Sequence, residues 1–531
     1  MKNIFKIKSV YGVVTSALLL VTAACSNDIL EQQNNNATST ANFGTSAEQV
    51  KAAINGAFHP ITGTFFWGRI VHTGALLRSD VFNIIPNDTN TKMSTFQGNP
   101  GDGRWATEPW QELYKSIARC NNIIINTTEE GIPDTTTREH LVGQAYFLRA
   151  FNYWYLVNLF GNVPLITELP DLDNLLVDQA DPADIWAQII SDLEKAETML
   201  PESWSGDDLG RATSGAATAL KGKSYLYMGQ TGPAVIALNS LVGKYSLLPA
   251  AQYGENFSTT NENNSESVFE LQFLGQESFA WGTDIPGTGS MGNFHIDYAP
   301  PAKSPDRGHI VNPWLRDLFV ANGDIVRRNE TIVYDYPGAL GYGGIDFTTD
   351  FSTNNEDGDN DIQIATDLGL EPIFSKKYTG MELGTRKQVD FLGTNVGNNW
   401  RVIRYSDVLL MLAEALNEEN RTQEAIPFID MVRNRAGLTL IADTNPGINQ
   451  TDMRQAIIEE RAMELAGEGH RFFDLVRWGL ADDYMGATSL HGTHPKSLSG
   501  GVFQTGKHEL IWIPNSERDA NPNLNQNIGY N

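Results

Sequence analysis

The densest set of ionisable side chains lies between residues 451 and 478: Glu459, Glu460, Arg461, Glu464, Glu468, His470, Arg471, Asp474 and Arg477. Carboxylates beside a histidine and several arginines can have displaced pKa values and serve as general acid or base. The same residues can instead form a network of arginine forks and carboxylates that fixes two helices against each other. Spacing favours the network. Glu468 and His470 stand two apart and so face different sides of a helix, and no His-Glu-x-x-His or Glu-x-x-His pattern stands in this stretch. His508-Glu509 lacks a second histidine at zinc spacing, and no G-x-S-x-G elbow or Cys-x-x-Cys pair occurs. Gly287 to Gly292 spells GxGxxG, but neither a preceding strand nor a following helix is evident, so it reads as a loop. The acidic run Asn354 to Asp361 has its glycine out of EF-hand register. No cofactor is expected; a structural calcium near Asp357–Asp361 is the weaker alternative to a solvated loop.

Aromatic residues set among polar ones are the better lead. A sugar ring can lay its C–H face on an aromatic ring while its hydroxyls meet Asp, Asn, Gln or Arg at the rim. Trp105, with Asn99, Asp102 and Arg104 close by, fits that composition. So do Phe279, Trp281 and Asp284, followed by Asn293, Phe294, His295 and Tyr298. Asp80, at the end of Leu-Leu-Arg-Ser-Asp, is a weaker candidate.

The elements that must position these residues are helical. Helices are predicted from Ala47 to His59-Pro60, over 110–127, from a Thr136/Glu139 capping box to Gly161, and over 182–200, 214–229 and 233–243. A helical hairpin is predicted over 406–419 and 422–437, and a helix capped by Asp452 runs to Gly467, with a short one after His470. The segment before Gly161 is aromatic nearly all round and should be central. Short connections between paired helices point to a mainly α fold of tetratricopeptide-like hairpins. Residues 60–109, 258–310 and 334–400 are instead rich in Gly, Pro, Asn and Asp, and read as long loops on that scaffold, where function usually resides.

The chain of 531 residues has 64 acidic against 38 basic residues, a net charge of −26, which argues against nucleic acid as a partner. Lys2, Lys6 and Lys8 precede the apolar run Val10 to Val21, and Val21-Thr22-Ala23-Ala24-Cys25 is similar to a lipobox. Residues 1–24 therefore read as a signal peptide, Cys25 as the lipidation site, and 25–46 as a polar tether to a single domain from 47 to 531. The other cysteine, Cys120, falls in a predicted helix, which leaves no disulfide framework.

Several blocks then resemble one family. IIEERAMELAGEGHRFFDLVRWG and IPNSERDANPNLNQNIGY at the C-terminal end, FLRAFNYWYLVNLFGNVPLI, GRATSGAATALKGKSYLYMG, WLRDLFVANGDIVRRNETI and RYSDVLLMLAEALN stand in the order seen in the SusD/RagB family of surface nutrient-binding lipoproteins. The resemblance implies a non-catalytic, surface-exposed lipoprotein of the outer membrane, anchored by lipid. It would capture a glycan and pass it to a SusC-like TonB-dependent transporter. It places ligand contacts on the loops and treats the 451–478 region as scaffold. The alternatives are a peptide-binding member of the same family and, from another class, a surface glycoside hydrolase.

Overall fold

The computed structural model describes residues 43–63, 66–67, 77–84, 90–102, 104–169, 175–273, 298–303, 309–355, 358–379, 381, 397–490 and 501–530. Its principal helices in the N-terminal half are α1 (Ala47–Thr62), α2 (Arg104–Asn126), α3 (Thr135–Phe160), α4 (Pro182–Met199), α5 (Ser214–Tyr227) and α6 (Thr231–Asn239). Each packs on the next in sequence, as short connections require. The C-terminal half adds α7 (Pro313–Asn322), α8 (Ile325–Thr331), α9 (Tyr405–Glu418), α10 (Thr422–Arg435), α11 (Gln450–Glu464) and α12 (Arg471–Arg477). Helix α9 joins the halves by packing against α6, α10 and α11. The fold is mainly α, as the periodicity predicts.

Strands are short and edge the helical array. Among the described residues they are β1 (Phe82–Ile84), β2 (Val163–Pro164), β3 (Gln179–Ala180), β4 (Ser267–Leu271), β5 (His309–Val311), β6 (Ile332–Val333), β7 (Phe374–Ser375) and β8 (Trp400–Arg404). They form antiparallel pairs β1–β5, β2–β3, β4–β8 and β6–β7. In the β4–β8 pair, Ser267 faces Arg404 and Leu271 faces Trp400, which ties the end of the N-terminal half to the entry of α9.

Helix α3 is buried on nearly every face, from Leu141 to Phe160, so it serves as the central post. Its Arg149 is held bidentately by Asp192 of α4, both bonds at 2.7 Å, which fixes the register of that pair. The tail closes on the other end of α3: Ile511 N donates to Leu159 O at 2.8 Å, and Asn527 Nδ2 to Phe160 O at 3.0 Å. One contiguous apolar cluster runs from Val50 to Tyr530. Cys120 lies in it as a buried free thiol that burial pushes up to about 12. None of the described helices is long and apolar enough to cross a membrane.

Several helix ends differ from expectation. Pro60 lies inside α1, where its missing N–H frees the Gly56 carbonyl, and Arg119 of α2 donates to that oxygen. Helix α2 begins at Arg104, six residues before the predicted start, and contains Pro109. The cap of α3 is Asp134, accepting from Thr137 N, and that of α11 is Asn449, accepting from Asp452 N. In both cases a side chain two or three residues earlier caps the free amides instead.

Candidate functional site

The ionisable cluster at the corner between α11 and α12 is a closed ion network. Arg404 stands at its centre: Nη1 donates to Glu266 at 2.5 Å and Glu464 at 2.8 Å, while Nε and Nη2 grip Glu468 at 2.7 Å each. Glu464 also receives Arg435 at 2.5 Å and Arg327 at 3.2 Å, and Glu468 receives Lys377 at 2.8 Å. A second set joins Asp407 to Arg461 at 2.7 Å and to Lys223 at 3.3 Å, and joins Asp474 to both Arg461 and Arg477. Gly467 and Gly469, at φ of 77° and 86°, turn the chain between the helices so that both sets meet.

Electrostatics agree with a structural role. Burial alone would raise Glu464, yet Arg435, Arg404 and Arg327 together hold it well below the usual carboxylate range. Glu468 and Asp474 are likewise held down against burial by their arginine and lysine partners. His470, whose Nδ1 lies 2.9 Å from Lys223 Nζ, is pushed down to about 4 by burial and then by Lys223. Groups locked in one protonation state near neutrality make poor proton shuttles. Burial pushes Glu262 up to about 7, while its carboxylate accepts Asn399 N at 2.7 Å.

Beside this corner lies an aromatic pad. Trp400 stacks on Tyr378 with centroids 4.0 Å apart and planes at 14°, and meets Tyr298 at 5.9 Å and Trp67 at 6.1 Å. Tyr298 in turn contacts Phe82 at 6.1 Å and His309 at 6.2 Å. These six residues stand next to, or within a few positions of, the ends of segments 68–76, 85–89, 274–297, 304–308 and 382–396. The described residues that flank these segments therefore meet in one pad. Tyr378 holds φ of 61°, a sparsely populated conformation for an aromatic residue, kept by its stacking and burial.

The individual candidates fare differently. Trp105 is 1% exposed inside α2, not on a loop, because the helix starts early and carries its ring into the core; it has no open face for a sugar. Tyr298 is also 1% exposed, its hydroxyl donating to Gly467 O at 2.9 Å, so it pins the pad to the ion-network corner. Asp80 is fully buried: Arg471 grips its carboxylate at 3.0 and 2.9 Å, and its carbonyl accepts Asn312 Nδ2 and Trp314 Nε1. It anchors the chain entering β1. These three placements correct the expectation of ligand-facing side chains. Asn99 is exposed on a tight turn, where its side chain accepts Gly101 N and donates to Asp102. Asp361 is buried and accepts Ala302 N at 2.5 Å, and no group of three metal-ligating side chains occurs among the described residues. Trp281, Asp284, Phe294, Cys25 and Asp357 lie outside the described residues. Tyr378 and Trp400 were missed because nothing in composition marks a ring whose stacking partner lies over twenty residues away.

Comparison with known proteins bears on both halves. The family model described as SusD family matches residues 265–530, and the one described as starch-binding associating with outer membrane matches residues 26–226. A SusD-like protein of Formosa agariphila is 28% identical over 396 residues, 71% of each chain. Among solved structures, a laminarin-binding SusD-like protein is 28% identical with a TM-score of 0.69, covering 91% of this chain and 99% of that one. A SusD superfamily protein of Bacteroides vulgatus, 23% identical, superposes with a TM-score of 0.74 over 92% of this chain and 100% of its own, which shows the shared fold. With half the chain under the family model and the same scaffold throughout, the chain belongs to the SusD/RagB family.

Proposed function

We propose that this protein is a lipid-anchored, surface-exposed lipoprotein of the outer membrane that binds a glycan and delivers it to a SusC-like TonB-dependent transporter without cleaving it. The observation that carries the reading is the likeness to a laminarin-binding protein across 91% of the chain, joined by the starch-binding description matched at 26–226. Within this chain, the pairing of the buried carboxylates with arginines supports a structural role for the acid/base cluster. The ligand contacts proposed are Trp281, Phe294, Asp284 and Asn99; Trp105, Tyr298 and Asp80 are buried in the scaffold. Cys25 is the proposed anchor.

The test takes the chain from Ser26 onward, which keeps every described residue. It is titrated by calorimetry with laminarin, starch, other plant and fungal polysaccharides, and peptides, alongside a reducing-end assay. Binding of one glycan without new reducing ends is expected. Trp281→Ala should weaken it roughly three- to tenfold with an unchanged melting temperature, since stacking a ring contributes about 0.5–1.5 kcal/mol. New reducing ends would sink the non-catalytic reading, and binding of peptides alone would replace glycan by peptide.

A further inference from the structure

A second concave surface lies away from the aromatic pad. Between the α4–α5 connection and the start of β4 is a groove of about 160 Å³, lined by Trp204, Leu209, Tyr245, Asn263, Ser267 and Phe269. The core ring stack divides it from the pad: Phe269 meets Phe151 at 6.0 Å, Phe151 meets Trp67 at 5.9 Å, and only then comes Trp400.

The groove is built, not incidental. Trp204 is half-buried, its Nε1 donating to Ala212 O at 2.8 Å and its ring set edge-on to His140 at 5.4 Å, so its orientation is fixed before any ligand arrives. Asn263 holds φ of 52°, secured by its own N–H to Glu270 Oε1 at 3.0 Å and by a reciprocal amide pair with Gln272, both bonds 3.0 Å. Two glycines let the walls close. A Cβ on Gly210 would lie 2.4 Å from the Gln272 side chain, and one on Gly215 only 2.1 Å from the Tyr245 hydroxyl.

Its chemistry narrows the occupant. Arg211 is engaged by Asp208 at 2.7 Å and Asn55 at 3.0 Å, which leaves little for an anion. Glu270 already pairs with Arg401, and Glu202 lies 3.6 Å from Lys244 with most of its side chain in solvent, which leaves no cage for a cation. What remains is an indole and two apolar walls with the hydroxyl-bearing Ser203, Thr213 and Ser267 beside them, the lining that suits a neutral polyhydroxylated ring. The volume is well below the ~300–1,000 Å³ of sites for drug-sized ligands, so it fits one ring and not a strand.

We propose that this groove is a second carbohydrate subsite that holds a single sugar ring of a glycan whose main contacts lie elsewhere on the protein. The proposal rests on the glycan-binding reading above.

The experiment titrates the full chain with laminarin and starch and with their hexasaccharides, for the wild type and two variants. Trp204→Ala removes the platform. Ser203→Trp fills the groove from an exposed position and leaves the core untouched. Both are expected to weaken polysaccharide binding roughly three- to tenfold while melting within a few degrees of the wild type. Wild-type affinity and stoichiometry in both variants would overturn the subsite while leaving glycan capture intact. Weakening in Trp204→Ala alone would also overturn it, because the change would then report packing. A wild type that binds neither laminarin nor starch, nor any other polysaccharide of the panel above, overturns the capture reading itself, and the subsite with it.

Discussion

The ion-network corner and the aromatic pad lie side by side, and Tyr298 bonds one to the other through Gly467, yet they treat reactive residue types in opposite ways. In the corner, Arg327, Arg404, Arg435, Arg461 and Arg477 each meet a carboxylate, and the side chains are almost wholly shut from water. In the pad, buried rings hold one another by faces and edges. Buried charges paired with opposite charges clamp helices. The contacts proposed for a ligand lie outside this corner, among them the Trp204 groove. Density of catalytic residue types is thus a poor guide here; what each group already touches is the better one.

The sharpest way to break this contrast is to open the corner. Glu464→Gln leaves Arg327, Arg404 and Arg435 short of a shared counter-charge in a dry site. It should cost roughly 3–5 kcal/mol in urea unfolding. A loss under 1 kcal/mol would mean that the network does not clamp the fold.

Acid should strain the corner next. His470, held near 4 in the folded protein, stays neutral there while the unfolded chain protonates it below about 6.5. The unfolded state then binds more protons between those values, so stability falls as pH falls through that window and is unaffected above it. At pH 5.5 the loss is on the order of 1 kcal/mol for this residue. His309 and His508, both held near 3, act in the same direction, so His470→Gln should reduce the slope between pH 7.5 and 5.5 without removing it. An unchanged slope would show that His470 does not titrate differently in the two states.

Tyr298→Phe sets the smallest effect. Losing the bond to Gly467 O should cost about 0.5–1.5 kcal/mol of stability and leave glycan affinity unchanged. Affinity lost at unchanged stability would return Tyr298 to the ligand face.

Much of the scaffold was legible because helix periodicity is local. The stretches over 182–200, 406–419 and 422–437 appear within a residue or two as α4, α9 and α10. Trp105 lies outside the helix predicted over 110–127, yet α2 starts at Arg104: Pro109 in an early turn removes a single hydrogen bond, and burial of Trp105 and Trp110 outweighs that loss. Asp80 illustrates the opposite limit. Its partner Arg471 is 391 positions away, and no short-range pattern announces such a pair.

By itself, the sequence determined the class of the molecule. The charge imbalance, the all-round aromatic post of α3, the hairpin spacing and the family blocks depend on composition and on contacts within a few turns. The tertiary structure alone decided which groups are already engaged. It closed the 451–478 charges into a network by bringing in Glu266, Arg327, Lys377, Arg404 and Arg435 from distant elements, and it buried Trp105, Tyr298 and Asp80. It also assembled a groove around Trp204 from residues that composition does not connect. The physical reason is that burial and pairing depend on neighbours in space, which long-range packing sets and local periodicity does not encode.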